Sequence, residues 1–566
     1  MTALPSRRRT FAALALCAVA YLYVFPYQPR INNPNENVRL YMTAALAEQG
    51  TYVIDDYRAR WGWVNDCAVR DGHAYSVKAP ASSFLGVVPY WLYLRWIDAS
   101  GATFDRTVAL WLCRVFASIL PWLLFLFAFH RWLGRHTSSP LVRDAVFISL
   151  ALGSCLYGYG LLFMSHTLSA AAAFGAFMLL HDAKHAGRLR VARSFFAGLL
   201  TAAVTLFEYP GFVASFLLTI YALVAVRPLL RLFPFALGGM IPTAAMMHFQ
   251  WRCFGSPFSP GHLYVEDDFF RGRHEEGFFG AVGVQPEALY GLLVHPGAGL
   301  LPLTPILLAA VVGLYLLVRR ERTRMDGVTV LGLFLLTLLG IAVMNNWRGG
   351  WTIGPRYLAL VYPFLGWAAL VGLEPAWRRW PRATAAFAVG ATAVGLLLSG
   401  VPSAYYPHYP IPVDRPVTQI VAVLMAHGYA PYTAANLLGV YAGWSMIPLA
   451  LLGLATLVWI IEATPERSVR ITAAIGGLLV AIGLAYPLTI DPRPGHAEIL
   501  EAQAFITRMW TPEGHDDAAR LAASLAETPE PEGFERLAEL LDAEGRANEA
   551  RAARAHAARL APRDEP

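Results

Sequence analysis

The sequence predicts an all-α polytopic membrane protein, on three observations. Apolar residues make up 56% of the 566-residue chain and charged residues only 15%, against about 25% charged in soluble proteins. The apolar residues come in unbroken blocks from Phe11 to Leu488 rather than in alternation, and such blocks can cross a hydrocarbon core about 30 Å thick. Short arginine-rich loops separate alternate pairs of blocks, the asymmetry that membrane insertion produces.

The first expected span, Phe11–Val24, follows PSRRRT, so Arg7, Arg8 and Arg9 are expected to stay in the cytoplasm and the span to act as a retained signal anchor. Residues 26–80 then form an external loop. Further spans are expected near 83–97, 107–129, 145–161, 165–181, 195–207, 211–226, 232–248, 301–318, 328–344, 357–374, 383–400, 435–461 and 471–488. Basic loops at 131–143, 181–193, 226–231, 319–324, 378–382 and 466–470 fit one side, the cytoplasm. Loops 163–166, 207–210, 249–300, 345–356 and 401–434 then join 26–80 outside. The segment 83–97 carries Pro89 and Arg95 and leaves parity open: either it is a partial or interfacial helix, or the arginine loop at 131 breaks the charge rule. The expected count is 12–14 spans, in residues 1–490.

Residues 491–566 form an external tail. It holds nine Arg against sixteen acidic residues, a net −7, which leaves about +13 in the short loops of a chain whose formal charge is +6. That division follows topology and gives no reason to expect nucleic acid as a partner. Helical periodicity recurs at Arg520–Leu525, Gly533–Leu541 and Ala547–Leu560. The last two form a stretch similar to one tetratricopeptide-type hairpin, which would bind a protein; a plain amphipathic appendage fits as well.

Five cysteines are present. Cys17, Cys113 and Cys155 fall in apolar blocks and are expected to be inert. Cys67 and Cys253 fall in the two long loops and are candidates for pairing in an oxidising compartment. Lysine occurs only at Lys78 and Lys184.

The first external loop is rich in candidate residues: Glu36, Asp55, Asp56, Asp66, Asp71 and Lys78, with Trp61 and Trp63. In ENVRLYMTAALAEQG, Val38, Tyr41, Met42, Ala45 and Leu46 share one helical face, with Asn37 and Arg39 off it. The expectation is an amphipathic helix on the membrane surface that holds Glu36 at the mouth of the bundle. Glu36 can equally be a helix-start carboxylate favoured by the dipole. Lys78 opens an apolar, proline-interrupted segment and is read either as a phosphate anchor or as a snorkelling lysine. His166 and Glu208 fall at outer ends of spans, where ionisable groups are functional candidates. The acidic loop VEDDFF…HEEGFF (Glu266, Asp267, Asp268, Glu275, Glu276, with His274) matches no closed cation site; a solvated acidic loop is expected and no metal ligand is assigned.

Four stretches, in order, carry a resemblance: Glu36, Tyr41, Ala44 or Ala45, Gly50, Tyr52 and Asp55 after the first span; YSVKAPASSFLGVVPYWL; FGSPFSPGHLY with GFFG and HPGAGLLPLTPILL; and NNWRGGWTIGPRYLALVYPFL. Together, over about residues 10–400, they look like the GT-C superfamily of integral-membrane glycosyltransferases, related to the protein O-mannosyltransferases and lipid A aminoarabinose transferases. Asn35-Glu36 stands where that family has Asp or Asp-Glu, and Ala79-Pro80 where it has Pro-Pro. The resemblance implies a GT-C-like bundle in a bacterial inner membrane, N-terminus cytoplasmic, with two large external loops. It implies transfer of a sugar from a polyprenyl-phosphate carrier to a periplasmic lipid, glycan or protein, with no cofactor required and a divalent metal unsupported. Glu36 would be the general base and Asp55 would orient Lys78 or the acceptor. Lys78, Arg348 and Arg356 would meet the phosphate, with Arg356 in GPRY favoured for its forked geometry. His166, Glu208 and Tyr357 would contact substrate. The competing reading is a transporter or flippase of lipid-linked saccharides, which would favour half-to-half repeats and helices broken at the midplane.

Overall fold

A computed structural model describes residues 7–560 apart from 28–32, 187–189, 227, 278–279, 492–494, 511–517, 519–520, 523, 526–527 and 544–546. It is all-α but for short strand pairs. In chain order the α-helices of seven residues or more are α1 Arg7–Tyr23, α2 Pro34–Gln49, α3 Asp55–Trp61, α4 Ala81–Ser100, α5 Arg106–Leu133, α6 Pro140–Ala151 and α7 Cys155–Leu161. Then follow α8 His166–Ala186, α9 Val191–Phe207, α10 Phe212–Ala225, α11 Leu232–Phe254, α12 Asp268–Glu275, α13 Pro286–Leu293, α14 Leu308–Arg319 and α15 Arg324–Ala342. The last are α16 Tyr362–Arg379, α17 Pro381–Gly395, α18 Ile447–Ile461, α19 Arg467–Thr489, α20 Ala497–Trp510, α21 Pro531–Ala543 and α22 Ala547–Leu560.

Among the described residues, seven helices are long and apolar enough to cross a membrane unaided, and eight if the α6–α7 pair, bent by 53°, counts as one span. The sequence-based count is larger because it includes α1, α9, α10 and α14, which run only 12–17 residues, and also α8 and, at its upper limit, α4, which are long enough but do not qualify as apolar spans.

Contacts between loops sort the chain onto two faces. On one, Arg135 pairs with Asp182 (2.8 Å), Glu374 accepts from Thr137 and Ser138, Lys184 pairs with Asp326, Ser194 donates to the Arg231 carbonyl, and Arg382 reaches Ser468. These are the basic loops, gathered as expected into an arginine face. On the opposite, loop face, Val24–Phe25 pairs antiparallel with Tyr432–Thr433, Cys67 and Ala68 bridge Val265 and Glu266, Ala281 bridges Met344, and Thr352 bridges Tyr409.

Helix α4 resolves the parity question. It begins where the Ala79 carbonyl accepts from Arg39, and runs beside α2 through Ser83–Thr43 and Tyr90–Glu48 contacts. It ends at a turn where Arg106 donates to the Trp61 carbonyl and Phe104 stacks on Trp61. Both its ends therefore lie among first-loop residues, and α5 alone carries the chain to Arg131.

Helix α2 departs from the expected surface helix. Every residue from Asn35 to Ala45 except Asn37 is buried, Arg39 included. The Asn33 side chain caps it through the Asn35 and Glu36 amides, and Gly50 ends it at φ 65°. Its polar residues Arg39 and Thr43 lie against Ala79 and Ser83 at the start of α4, Glu36 meets Arg114 of α5, and Tyr41 packs on Trp61, so no side of this stretch remains for a bilayer.

Three helix pairs set the bundle. A Cβ on Gly198 of α9 would overlap the Phe235 carbonyl of α11, and one on Gly238 the Phe195 carbonyl in return. Gly313 of α14 and Gly372 of α16 stand in the same relation to Ala368 and Ala309, and Gly390 of α17 lies on the Gly477 carbonyl of α19. Small residues let backbones meet where the surrounding lipid gives no hydrophobic drive. Leu451, Leu454 and Val458 of α18 and Ile475, Leu478 and Leu479 of α19 face outward, exposed.

All five cysteines are free thiols, so the candidate Cys67–Cys253 pairing is absent; both are buried in one apolar cluster. In the tail, α21 and α22 form a hairpin around Phe534, Leu537, Leu541, Ala550 and Ala553. The predicted Arg520–Leu525 helix falls partly outside the described residues.

Candidate active site

The site is assembled where the starts of α2 and α8 meet on the loop face. Arg114 in α5 precedes a π-turn at Val115–Ile119 and points into the bundle. It makes a two-pronged ion pair with Glu36: Nε to Oε1 at 2.8 Å and Nη2 to Oε2 at 2.7 Å, both side chains wholly buried. Glu36 also accepts the Phe163 amide at 2.6 Å, and Arg114 donates to the Pro26 carbonyl. This pair fixes the turn between α7 and α8. The base expected at Glu36 is thus a carboxylate with its oxygens engaged, behind the site.

One helical turn on, Arg39 donates to Asn35, to the Ala79 carbonyl and, at 2.7 Å, to Ser165, and lies 3.6 Å from Glu208. Glu208 is held at the turn between α9 and α10, accepts a short hydrogen bond from Ser165 and lies 3.3 Å from His166 Nδ1. Burial alone would raise the Glu208 pKa. His166, Arg39, Ser165 and Lys78 outweigh it and hold the carboxyl below its usual range. The other nitrogen of His166, Nε2, is buried with no hydrogen-bond partner among the described residues.

Arg356 faces this carboxylate across a cleft lined by His166, Glu208, Thr337, Arg356 and Tyr357 on its polar side and by Ala214 and Leu360 on its apolar side. The guanidinium packs 5.0 Å from the Tyr357 ring centre and donates to its hydroxyl; its Nε has no hydrogen-bond partner among the described residues. Gly349 is needed here. Its φ of 78° is left-handed, and a Cβ would come 2.6 Å from Arg356 Nε.

Lys78 completes the basic wall. Its Nζ pairs with Asp66 at 2.8 Å, and it is near enough to Glu208 to help hold it ionised. FGSPFSPGHLY brings His262 beside Tyr209 and His274. Burial, with Lys78 next in effect, holds the His262 pKa down to about 3, so its ring is neutral.

The structure thus brings together Lys78, His166, Glu208, Arg356 and Tyr357. It sets the other expected residues elsewhere. Asp55 accepts the Ala74 amide and pairs with His73 (2.8 Å), pinning a hairpin of β1 Cys67–Arg70 and β2 His73–Ser76, and does not touch Lys78. Arg348 donates to the Ile411 and Pro410 carbonyls and clamps the 406–414 segment. In the acidic loop, Glu266 pairs with Arg58, Asp267 caps α12, Asp268 pairs with Arg271 and Glu276 accepts from Asn345. Sequence reasoning missed Arg39, Arg114 and Ser165. Arg114 carried a usable signal, a charge inside an apolar block that requires a buried counter-charge.

No family model and no curated protein matches the chain. Among solved structures it is similar to ArnT from Cupriavidus metallidurans in the apo state. The identity is 15% and the TM-score 0.45, over 85% of this chain and 76% of that one. It is also similar to the same protein bound to undecaprenyl phosphate, at 13% identity and a TM-score of 0.41, over 86% and 78% of the two chains.

Proposed function

We propose that the chain is a polyprenyl-phosphate-dependent glycosyltransferase of the GT-C kind, acting at the outer face of a bacterial inner membrane on a lipid, glycan or protein acceptor. One observation carries this reading: a single cleft joins an ionised, histidine-paired carboxylate to an arginine with an unpartnered nitrogen, beside an apolar wall. The four sequence stretches that resemble the family add support, since KAP, GHLY and GPRY all contribute to its surroundings.

The reaction is a single displacement. The acceptor oxygen or nitrogen bonds to the anomeric carbon, the bond from that carbon to the lipid phosphate breaks, and configuration inverts. The acceptor proton passes to the Glu208–His166 pair. Glu36 is less suited as base, because taking a proton would break a buried two-pronged ion pair. As the bond breaks, a phosphodiester monoanion becomes a monoester dianion. Arg356 and Lys78 are the cations that meet the added charge, with Arg39 behind them. The apolar side of the cleft would accept the start of the prenyl chain.

The test is transfer by purified protein from a panel of radiolabelled undecaprenyl-phosphate sugars. Glu208→Gln and Arg356→Gln are expected to lose about 10²-fold or more in rate, the usual scale for a general base or an electrostatic stabiliser. Wild-type protein that transfers from no donor, or a Glu208→Gln variant at full rate, would refute the assignment.

A further inference from the structure

A second cluster of chemistry-bearing side chains occupies the arginine face. His181 and His185 are one turn apart on α8 and present their rings to Asp326 in the first turn of α15. Among the described residues these three alone form a group whose ligand atoms all lie within 4.8 Å of one another. His185 Nε2 is 3.2 Å and His181 Nε2 3.9 Å from Asp326 Oδ2. Two ligands on a tetrahedral ion at about 2.0–2.2 Å stand about 3.3–3.5 Å apart. The first separation is thus already close to the edge of such a tetrahedron, and the second needs an approach of a few tenths of an ångström.

The surroundings are arranged as around a metal ligand set. The other Asp326 oxygen, Oδ1, is fully engaged: it accepts from the Tyr221 hydroxyl at 2.6 Å and from Lys184 Nζ at 2.8 Å. That fixes the carboxylate and leaves Oδ2 to the histidines. His181 Nδ1 lies 3.8 Å from the Asp182 carboxylate, itself held by Arg135. At that distance no hydrogen bond forms among the described residues and Nδ1 is buried without one; a closer approach on metal binding would make Asp182 the outer partner of a ligating imidazole. Asp326 is fully buried and His181 only 7% exposed.

We infer that His181, His185 and Asp326 bind one divalent ion of the Zn2+ class through two Nε2 atoms and Oδ2, water filling the fourth position. Two imidazoles with one carboxylate suit Zn2+ and not the all-oxygen preference of Mg2+ or Ca2+. The ion is remote from the cleft, because fifteen residues of α8 separate His166 from His181, roughly 22 Å of helix rise. It would nonetheless act on the cleft's frame. The cluster joins α8, α10 (Tyr221) and α15 at one face, and the same helices line the cleft at the other through His166, Ala214 and Thr337. The ion would be a staple on the framework, with no part in the sugar chemistry.

The experiment is metal uptake by the purified full-length protein, stripped with a chelator, dialysed and titrated with Zn2+ and separately with Co2+. The expected result is one Zn2+ per chain by elemental analysis, intense visible bands of four-coordinate Co2+, and a rise in melting temperature with Zn2+. His185→Gln and Asp326→Asn should weaken binding by more than about tenfold, the loss seen even for outer partners of metal ligands. Lys184→Gln keeps a donor for Oδ1 and removes a neighbouring cation, so it should bind Zn2+ as tightly or more tightly. Substoichiometric uptake by the wild type overturns the inference, as does uptake undiminished in His185→Gln. A Lys184→Gln variant that is destabilised and binds no Zn2+ would leave Asp326 as the partner of a lysine alone.

Discussion

Replacing either half of the Glu36–Arg114 pair tests whether the carboxylate is scaffold or base. Both side chains are fully buried and joined by two hydrogen bonds, at 2.8 and 2.7 Å. Arg114→Gln strands the Glu36 charge with only the Phe163 amide as donor. Glu36→Gln strands the Arg114 charge with only the Pro26 carbonyl as acceptor. Breaking a buried pair from one side costs about 3–5 kcal/mol. The double variant Glu36→Gln/Arg114→Gln buries no charge and can form an amide–amide hydrogen bond. Its loss should fall short of the sum of the single losses by about 1–3 kcal/mol, the range for groups in direct contact. The assay is thermal and denaturant unfolding of the four proteins in one detergent, alongside transfer from the best donor. Additivity within about 0.5 kcal/mol would refute the pairing. A Glu36→Gln variant of wild-type stability but without transfer would restore Glu36 as base.

Three further outcomes are expected. Gly198→Leu and Gly313→Leu force a side chain into a facing carbonyl and should cost at least about 1–3 kcal/mol each, read as lost monodisperse protein or a lowered melting temperature, whereas Gly453→Leu on α18, with open space around it, should be neutral. His408 is buried near Arg356, and burial, Arg356 and His166 hold its pKa down to about 3. The folded state therefore stays neutral while the unfolded chain protonates below about pH 6.5; stability is lost as pH falls, by about 2 kcal/mol at pH 5, and His408→Gln should flatten melting temperature against pH. Asp55→Ala releases the Ala74 amide and His73 and should speed proteolysis within 67–76 while lowering transfer less than Glu208→Gln does.

Much of this architecture was legible in the sequence because bilayer insertion writes it in two simple variables, apolar length and arginine placement. The arginine loops do gather on one face, and the loops assigned to the other do meet there. What could not be read was pairing across the bundle. The pattern around Glu36 looked amphipathic because Asn37 and Arg39 fall off the apolar face, yet Asn37 is only half-buried and Arg39 is fully buried, donating to Asn35, to the Ala79 carbonyl at the start of α4 and to Ser165 in the 163–166 turn. A helical wheel cannot separate a face turned to water from one turned to a buried arginine network. Arg356, His166 and Glu208 could be nominated one by one as charges at span ends, and their convergence needed the fold. Arg348 shows the converse: eight residues from Arg356 and of the same type, it is occupied by two backbone carbonyls.

The glycine crossings carry a consequence for how the chain is made. The partners are separated by one intervening helix in two of them, α9 and α11 across α10 and α14 and α16 across α15, and by α18 together with the short Val417–Ala426 helix between α17 and α19. Both members of a pair therefore run in the same direction, and neither can find its mate until the strap between them has been threaded and turned back. Each crossing can then close only once its later helix has been inserted. On that schedule a bulky residue at Gly198 would stall an early crossing, and one at Gly390 would surface only when synthesis is almost done.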